Sequence, residues 1–150
     1  MNSLKSICGK SVHGMGVKFD DYTIQVMGVM DDKINAVLEE CAGEVESQTK
    51  RNQDKFNKTG QTSGSWQHHV DDSSHIAVIG SNFENAIWEE FGTGEYALHG
   101  NGRKGGWIYV DEKGDGHFTH GKKPRRHFWN AYTALKSKIV NHIQNSLKGL

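Results

Sequence analysis

The stretch Trp88-Glu89-Glu90-Phe91-Gly92-Thr93-Gly94 lies in the middle of the chain and predicts a sharp change of backbone direction. Residues 85–91 fit a single helical turn, and the two glycines after it permit the positive φ angles of a tight turn. Further along comes Gly121-Lys122-Lys123-Pro124-Arg125-Arg126-His127-Phe128. Proline is tolerated in the first turn of a helix, so we expect a helix to start at Pro124. These two segments form the most specific pattern in the sequence.

Two long helices are predicted from apolar residues that recur at helical spacing. The C-terminal helix, about residues 124–147, carries the stripe Phe128, Ala131, Leu135, Ile139, Ile143 and Leu147. The N-terminal helix, roughly 31–55, carries Ile34, Val37, Leu38, Cys41 and Val45. Asp31 and Asp32 offer it an N-cap and negative charge in the first turn. Cys41 lies on the apolar stripe, so we expect it to pack in the core.

Short strands are predicted from period-2 alternation and turn residues. One strand runs from Phe19 through Tyr22, Ile24 and Val26 and ends at Gly28. A hairpin joins residues 65–70 to 75–80, and a second joins 107–110 to 116–119. Both faces of the 75–80 segment are apolar, which favours a central strand. Residues 57–64 are expected to be a turn-rich linker.

The 150 residues fit one domain with a real core. We expect a flexible N-terminal arm at 1–18 and a single α+β domain at 19–150. Hydrophobic residues make up only 35 % of the chain, while glycine occurs 18 times. This composition predicts a thin core, which suits a subunit completed by its neighbours.

Charge and cysteine content exclude several classes of protein. The 18 basic residues balance the 18 acidic ones, so no whole-chain field attracts nucleic acid or a membrane surface. Cys8 and Cys41 lack the spacing of a zinc knuckle or a disulfide framework, which favours a reducing compartment. No apolar run reaches the length of a signal peptide or a membrane span. We therefore expect a soluble protein made in a cytoplasm.

The Gly-rich segment 95–106 satisfies G-x-G-x-x-G at residues 100–105. A dinucleotide site requires a strand before the first glycine and a helix after the last one. Here a strand-like segment follows instead, so we predict no cofactor. We expect a flexible loop, whose members include Gly100, Gly102, Arg103, Lys104 and Gly105.

Histidine and glutamate pairs offer weak candidates for chemistry. His68 and His69, or His117 and His120, would project to opposite faces of a strand and could not converge on one metal ion. Glu89 and Glu90 are neighbours, so they cannot face one substrate together. We therefore predict no catalytic residue, no cofactor-binding residue and no metal ligand.

Two patches of opposite sign are the more informative feature. The acidic patch holds Glu84, Glu89, Glu90 and Glu95, and the basic patch holds Lys122, Lys123, Arg125 and Arg126. Four cations at a helix N-terminus oppose the helix dipole, so an external anion would relieve them. Carboxylates of a neighbouring subunit and DNA phosphates are candidates; the alternative is a solvated corner that binds nothing. Among the aromatic residues, Trp107 and Phe128 are expected to be mainly internal and Trp88 to lie at an interface.

The pairing of Glu90-Phe91-Gly92-Thr93-Gly94 with Lys123-Pro124 through Phe128 resembles the HK97 gene-10-like family of phage neck and tail-completion (head-tail joining) proteins. Thr59-Gly60 through Trp66 is similar to a further motif of that family. The chain departs from the pattern at Arg125-Arg126-His127, where small or apolar residues are common.

The resemblance covers about residues 22–147. It implies an α+β subunit in which a small mixed or antiparallel sheet packs against two long helices. It also implies a non-enzymatic structural protein of a phage, prophage or tail-like particle, located in the virion at the neck or tail top after assembly in the host cytoplasm. Such a subunit would form a homo-oligomeric ring, with a hexamer favoured and a dodecamer possible. Other neck, connector or tail-tube proteins would be its partners, and DNA could pass through the lumen.

Within such a ring, Glu84 to Glu95 of one subunit could meet Lys122 to Arg126 of the next, with Trp88 nearby. Three alternatives stay open. The protein could be a tail terminator that caps the tail tube and fixes its length. It could be a small nucleic-acid-binding protein that uses the basic patch with Arg103 and Lys104, or an enzyme, for which no motif argues.

Overall fold

The computed structural model describes residues 21–56 and 59–148 and confirms an α+β fold. The predicted arm at 1–18, Cys8 and Phe19 lie outside the described residues. The fold consists of two long helices that pack on each other, two antiparallel hairpins and two short helices. The elements in chain order are α1 (Thr23–Asp54), α2 (Gln61–Gly64), β1 (Trp66–Asp71), β2 (Ile76–Ser81), α3 (Glu84–Phe91), a 3-10 turn (Gly94–Tyr96), β3 (Trp107–Val110), β4 (Gly116–Thr119) and α4 (His127–Leu147).

Helices α1 and α4 pack antiparallel and form the main layer. Asn52 near the end of α1 donates a hydrogen bond to the carbonyl of His127 at the start of α4 (3.0 Å). Towards the other end, His142 of α4 lies 3.0 Å from the carboxylate of Glu40. The buried face of α1 follows a strict four-residue spacing through Val37, Cys41, Val45, Thr49 and Gln53. Cys41 is buried as predicted, and burial beside two glutamates raises the pKa of its thiol.

Both predicted hairpins are confirmed to within one residue. Strand β1 pairs with β2, and Trp107 of β3 lies opposite Thr119 of β4. The prediction of a central strand at 75–80 is wrong, because each sheet of the described chain has only two strands. Ala77 and Ile79 are half-buried, whereas Ile76 and Val78 are exposed because no layer covers that face.

The predicted strand at 19–26 is also wrong in the part that is described. Helix α1 begins at Thr23 and continues through Gly28, and the Asp21 carboxylate accepts a hydrogen bond from the Thr23 amide (2.9 Å). Tyr22, Val26 and Val29 recur at helical spacing. This pattern fits the sequence as well as the strand-like alternation of Tyr22, Ile24 and Val26 does. The predicted helix at 31–55 is therefore present, but it starts eight residues earlier.

Helix α4 begins at His127 rather than at Pro124. Arg126 precedes it in the left-handed conformation (φ 56°, ψ 46°), which a non-glycine residue rarely adopts. The amides of Arg125 and Arg126 donate hydrogen bonds to the Glu89 carbonyl at 2.7 and 3.4 Å. The backbone before α4 is therefore bound to α3. None of the described helices is long and apolar enough to cross a membrane.

The core is thin, in agreement with the composition. Within residues 21–56 and 59–148, the buried hydrophobic residues are Val37, Cys41, Ala42, Val45, Trp66, Ala86 and Ala131. Three of these seven are alanines. Polar residues complete the interior, and the largest fully buried side chains are Gln53 and Thr49. The interior near the C-terminal end of α1 is therefore polar.

Candidate functional site

The two sequence segments that carry the family resemblance lie against each other. The Thr93 amide donates to the Lys122 carbonyl (2.9 Å), and the Lys122 amide donates to the Thr93 hydroxyl (2.9 Å). The Glu95 amide donates to the His120 carbonyl (2.9 Å). Gly94 has φ +61° as predicted, and a side chain there would collide with the His120 carbonyl oxygen. We call this contact, together with Glu89, Glu90 and their partners, the junction.

Glu90 caps helix α4 from a different element. Its carboxylate accepts hydrogen bonds from the amides of Phe128 (3.0 Å) and Trp129 (2.9 Å). Arg126, at the N-cap position, provides no side-chain cap of its own. A carboxylate at a helix N-terminus satisfies free N–H groups and favours the helix dipole. Glu90 therefore fixes α3 to the first turn of α4.

Glu89 gathers polar groups from α1 and from the segment before α4. Its Oε1 accepts a hydrogen bond from the Lys122 ammonium (2.6 Å) and lies 3.5 Å from the Arg125 guanidinium. Its Oε2 accepts a hydrogen bond from the Gln53 amide (2.8 Å). Gln53 in turn accepts a hydrogen bond from the Trp66 indole (2.8 Å). A chain of hydrogen bonds thus joins β1, α1, α3 and the segment before α4.

Titration of the junction follows from its burial and its charges. Burial acts to raise the pKa of Glu89, but hydrogen bonds from Lys122 and Gln53 and the charges of Lys122 and Arg125 outweigh it and lower the pKa. His127, which is 3 % exposed, has its Nε2 3.4 Å from Glu89. Burial outweighs the attraction of Glu89 and lowers the pKa of this imidazole. The junction therefore contains an ionised carboxylate beside a neutral histidine at neutral pH.

The predicted external anion is therefore internal. Lys122 and Arg125 face Glu89 of their own chain, and the N-terminus of α4 faces Glu90. Both carboxylates are only 7 % exposed, so the hypothesis that they meet bases of the next subunit is wrong. Glu89 and Glu90 have different hydrogen-bond partners, but both lie near the start of α4. The sequence analysis places the two patches on different subunits. Glu89 and Lys122 lie 33 residues apart in the chain, so nothing in the sequence shows that they are in contact.

The other predicted interface residues are exposed, except Arg126, which is half-buried with its Nε atom buried. Glu84 and Lys123 are exposed, and the Lys123 ammonium lies 5.6 Å from the centre of the Tyr96 ring. The Arg126 guanidinium lies 4.8 Å from the Trp129 ring. Glu95 receives hydrogen bonds from the Gly105 amide (3.0 Å) and pairs with His120 (3.1 Å). An interface role for these residues stays a prediction.

Sequence reasoning missed three members of the junction: Gln53, Trp66 and His127. The four-residue spacing that begins at Val37 could have placed Gln53 on the buried face of α1. Trp66 is buried and stacks on Phe128 at a centroid distance of 5.6 Å. Trp107 and Phe128 are half-buried, and Trp88 is 45 % exposed.

Segment 97–106 contains no helix or strand, but it is anchored to the junction. A side chain on Gly102 would collide with the Gly94 carbonyl oxygen, and the Arg103 guanidinium lies 5.7 Å from the Trp107 ring. Gly100 and Gly105 adopt positive φ. Lys104 is exposed. The next element after residue 105 is strand β3 and not a helix, so the structural context of a dinucleotide site is missing here.

The histidine pairs lie apart, as the alternation of strands predicts. His68 lies 3.0 Å from Glu39 and also contacts Glu46, whereas His69 is on the exposed face of β1. His117 faces Asp111, and His120 faces Glu95. Across the described residues, no group of three or more histidine, cysteine or carboxylate side chains is arranged to hold a metal ion.

An open cleft of about 520 Å³ lies beside the junction, between α3 and the β3–β4 hairpin. Three aromatic residues, Trp88, Trp107 and Tyr109, line it together with Thr93, Thr119 and Lys122. We call it the aromatic cleft. Its volume is within the range of ligand-binding clefts, about 300–1,000 Å³.

Comparison with known proteins found no matching protein family, no similar curated protein and no similar solved structure.

Proposed function

We propose that this protein is a structural subunit of a phage or phage-tail-like particle, and that it forms a ring at the head-tail junction or the tail top. The proposal starts from the motif resemblance of residues 90–94 and 123–128. These two segments are in direct contact and hold α3 against α4. The residues of the two motifs thus fix the position of α3 relative to α4. A subunit with a fixed shape is suited to a larger assembly.

The distribution of apolar side chains is the observation that carries the proposal. Within residues 21–56 and 59–148, seven hydrophobic residues are buried, whereas twenty-three large hydrophobic residues are exposed. The exposed residues occur on α1, β2, α3, both strands of the second hairpin and α4. Large exposed apolar patches mark interaction surfaces in soluble proteins. Surfaces on several sides of one subunit fit contact with two neighbours in a ring and with partners above and below.

The role proposed for the polar interior is structural. Both carboxylates of the junction are occupied by amides and cations of their own chain. A buried carboxylate with such partners fixes the geometry of the elements that it joins. We accordingly propose no reaction and no cofactor.

Deletion of the gene from the parent phage or prophage tests the proposal. Negative-stain electron microscopy of the induced lysate should show separate DNA-filled heads and free tails of normal length. A plasmid copy of the intact gene should restore joined particles. Overlong or ragged tails would instead assign the protein to tail termination. Unaltered infectious particles would refute a role in the particle.

A further inference from the structure

We propose that the N-terminal end of α1 docks into the aromatic cleft of a second copy of this chain. We call this end, residues 21–32, the α1 tip. The inference rests on the proposed function, because it supplies the contact between neighbours in the ring. It names both surfaces of that contact.

The α1 tip is exposed throughout. Every residue from Asp21 to Asp32 is exposed, although half of them are large and apolar. Tyr22, Val26, Val29 and Met30 share one side of the helix and border a shallow apolar depression. Val26 is 55 % and Val29 is 62 % exposed. An amphipathic helix with anchors at this spacing is the element that helix-in-groove recognition uses.

The aromatic cleft offers a complementary surface. Trp88 is 45 % and Tyr109 is 48 % exposed, so both rings can bury further area against a partner. Aromatic residues in a concave site are the usual anchors of protein interfaces. The two threonines of the lining are held by hydrogen bonds with Lys122 and Gly121 of the same chain, so the shape of the cleft is set before a partner binds.

The charges of the two surfaces also match. The α1 tip carries Asp21, Asp31 and Asp32 and contains no lysine or arginine. Asp31 lies 3.3 Å from His75 of its own chain, and the other two acids have no cationic partner among the described residues. Lys122 lines the cleft, and its ammonium shares the Glu89 carboxylate with Arg125, so this group of three keeps one net positive charge. Arg103 adds a second positive charge, on the Trp107 ring. An acidic helix end and a basic cleft attract each other and select one orientation of docking.

Geometry requires that the two surfaces belong to different copies. Gln53 binds Glu89, which also binds Lys122 of the cleft, so the cleft lies near the C-terminal end of α1. Met27, in the α1 tip, is about 40 Å from Gln53 along the helix, at about 1.5 Å per residue. The α1 tip therefore cannot fold back into its own cleft. A contact between two different surfaces is heterologous, and it closes into a ring when the rotation per subunit allows.

Mixing of two defective variants tests the contact. Multi-angle light scattering and sedimentation of the full chain should show a defined oligomer for the wild type. The tip variant Val26→Ser/Val29→Ser should be monomeric, and so should the cleft variants Trp88→Ala and Tyr109→Ser. A mixture of tip and cleft variants should form a one-to-one dimer and nothing larger, because each partner then contributes its one intact surface.

The matched control is Ile76→Ser/Val78→Ser on the exposed face of β2. This face takes no part in the proposed contact between copies and is left for other partners of the particle, so the purified variant should retain the mass of the wild type. Circular dichroism of every variant shows whether it is folded. Two cleft variants are used so that the test still holds if one of them misfolds. The inference is overturned if the wild type stays monomeric, if the tip variant keeps the wild-type mass, or if the mixture stays monomeric. If the tip variant still forms a ring, the docking inference is overturned and the proposed function is unaffected. If the deletion strain makes unaltered particles, the proposed function is refuted, and the contact between copies is judged by the oligomer measurements alone.

Discussion

The junction and the α1 tip reverse the usual arrangement of polar and apolar groups. At the junction, two glutamates, a glutamine and a histidine are buried, and hydrogen bonds of the two glutamates hold three helices together. At the α1 tip, apolar residues such as Ile24, Val26 and Val29 are 55 to 68 % exposed. Hydrogen bonds and ion pairs depend on geometry, so they specify positions, whereas apolar area contributes free energy with any well-fitting partner. The chain thus uses polar contacts to define its own shape and leaves apolar area for other chains.

The strongest test of this contrast is the substitution Gly94→Ala in the junction. The new methyl group would collide with the His120 carbonyl oxygen and lie 2.7 Å from the Trp107 ring. We expect a loss of about 3 kcal/mol or more of unfolding free energy, measured by guanidinium titration. Gly100→Ala is the control, because Gly100 also has positive φ but open space around it. It should cost about 1–2 kcal/mol, and equal losses would contradict the close approach at Gly94.

Glu89→Ala should be nearly as damaging. It removes the acceptor of Lys122 and Gln53 and leaves their polar groups without that partner. The expected loss is about 3 kcal/mol, since the lysine and arginine are a third exposed and can recover some hydration. Glu112→Ala, at an exposed glutamate in the β3–β4 turn, should change stability by less than about 0.5 kcal/mol. Denaturant unfolding of both variants compares them directly.

Glu90→Ala should cost about 2 kcal/mol, because two amides of α4 lose their acceptor. Glu90→Gln retains one acceptor oxygen and loses the charge, so we expect about 1 kcal/mol. Hydrogen exchange of the Phe128 and Trp129 amides provides a local measurement, and both should exchange faster in each variant. Unchanged protection in Glu90→Ala would show that Glu90 is not the cap.

Two histidines should give stability opposite dependences on pH. A hydrogen bond to Glu46 raises the pKa of His68, against its partial burial and with further support from Glu39. The protonated His68 contributes fully to the free energy of unfolding below the unfolded pKa of about 6.5. This contribution is lost as pH rises through the pKa of the folded state. Burial lowers the pKa of His127, so its unfolded form gains a proton first and stability falls as pH drops below about 6.5.

NMR titration of both imidazole rings, with unfolding free energies at pH 5.5, 6.5 and 8, checks these signs. His68→Gln should flatten the alkaline side of the profile and leave the acid side unchanged. A His127 ring that titrates above its ordinary pKa would contradict the buried, neutral histidine.

The smallest effect concerns the α1 tip itself. Gly28 lies inside α1, and a Cβ there would meet no atom within 4 Å. Gly28→Ala should therefore raise stability by about 0.5–1 kcal/mol through helix propensity alone. Thermal unfolding followed by circular dichroism measures this gain. A loss of stability would mean that the tip packs tightly at Gly28.

Sequence periodicity predicted the elements that are amphipathic over several turns or strands. Helix α4, most of α1 and both hairpins follow from spacing that places one face inwards. The α1 tip as far as Gly28 was predicted as a strand, because Tyr22, Ile24 and Val26 fit alternation. Tyr22, Val26 and Val29 fit a helix equally well. Without a buried face in the monomer, the sequence has no local signal that decides between the two periods.

The candidate site could be predicted only in part. The four bases before α4 do require an anion, but Glu89 and Lys122 lie 33 residues apart, and sequence does not show that they meet. The left-handed Arg126 was also unpredictable, because it results from the bonds of its segment to the Glu89 carbonyl. Local patterns thus identified which groups need partners, and tertiary contacts determined which partners they have.

The antiparallel packing of α1 on α4 has a consequence for synthesis of the protein. Contacts such as Glu40 with His142 join residues 102 positions apart, so the side of α1 that α4 covers leaves the ribosome long before α4 does. At about 5–20 residues per second, the delay is about 5–20 s. During this interval β1 and β2 can already pack on α1, but the side that faces α4 is open to solvent or a chaperone. The nascent chain is thus most prone to aggregate before α4 emerges.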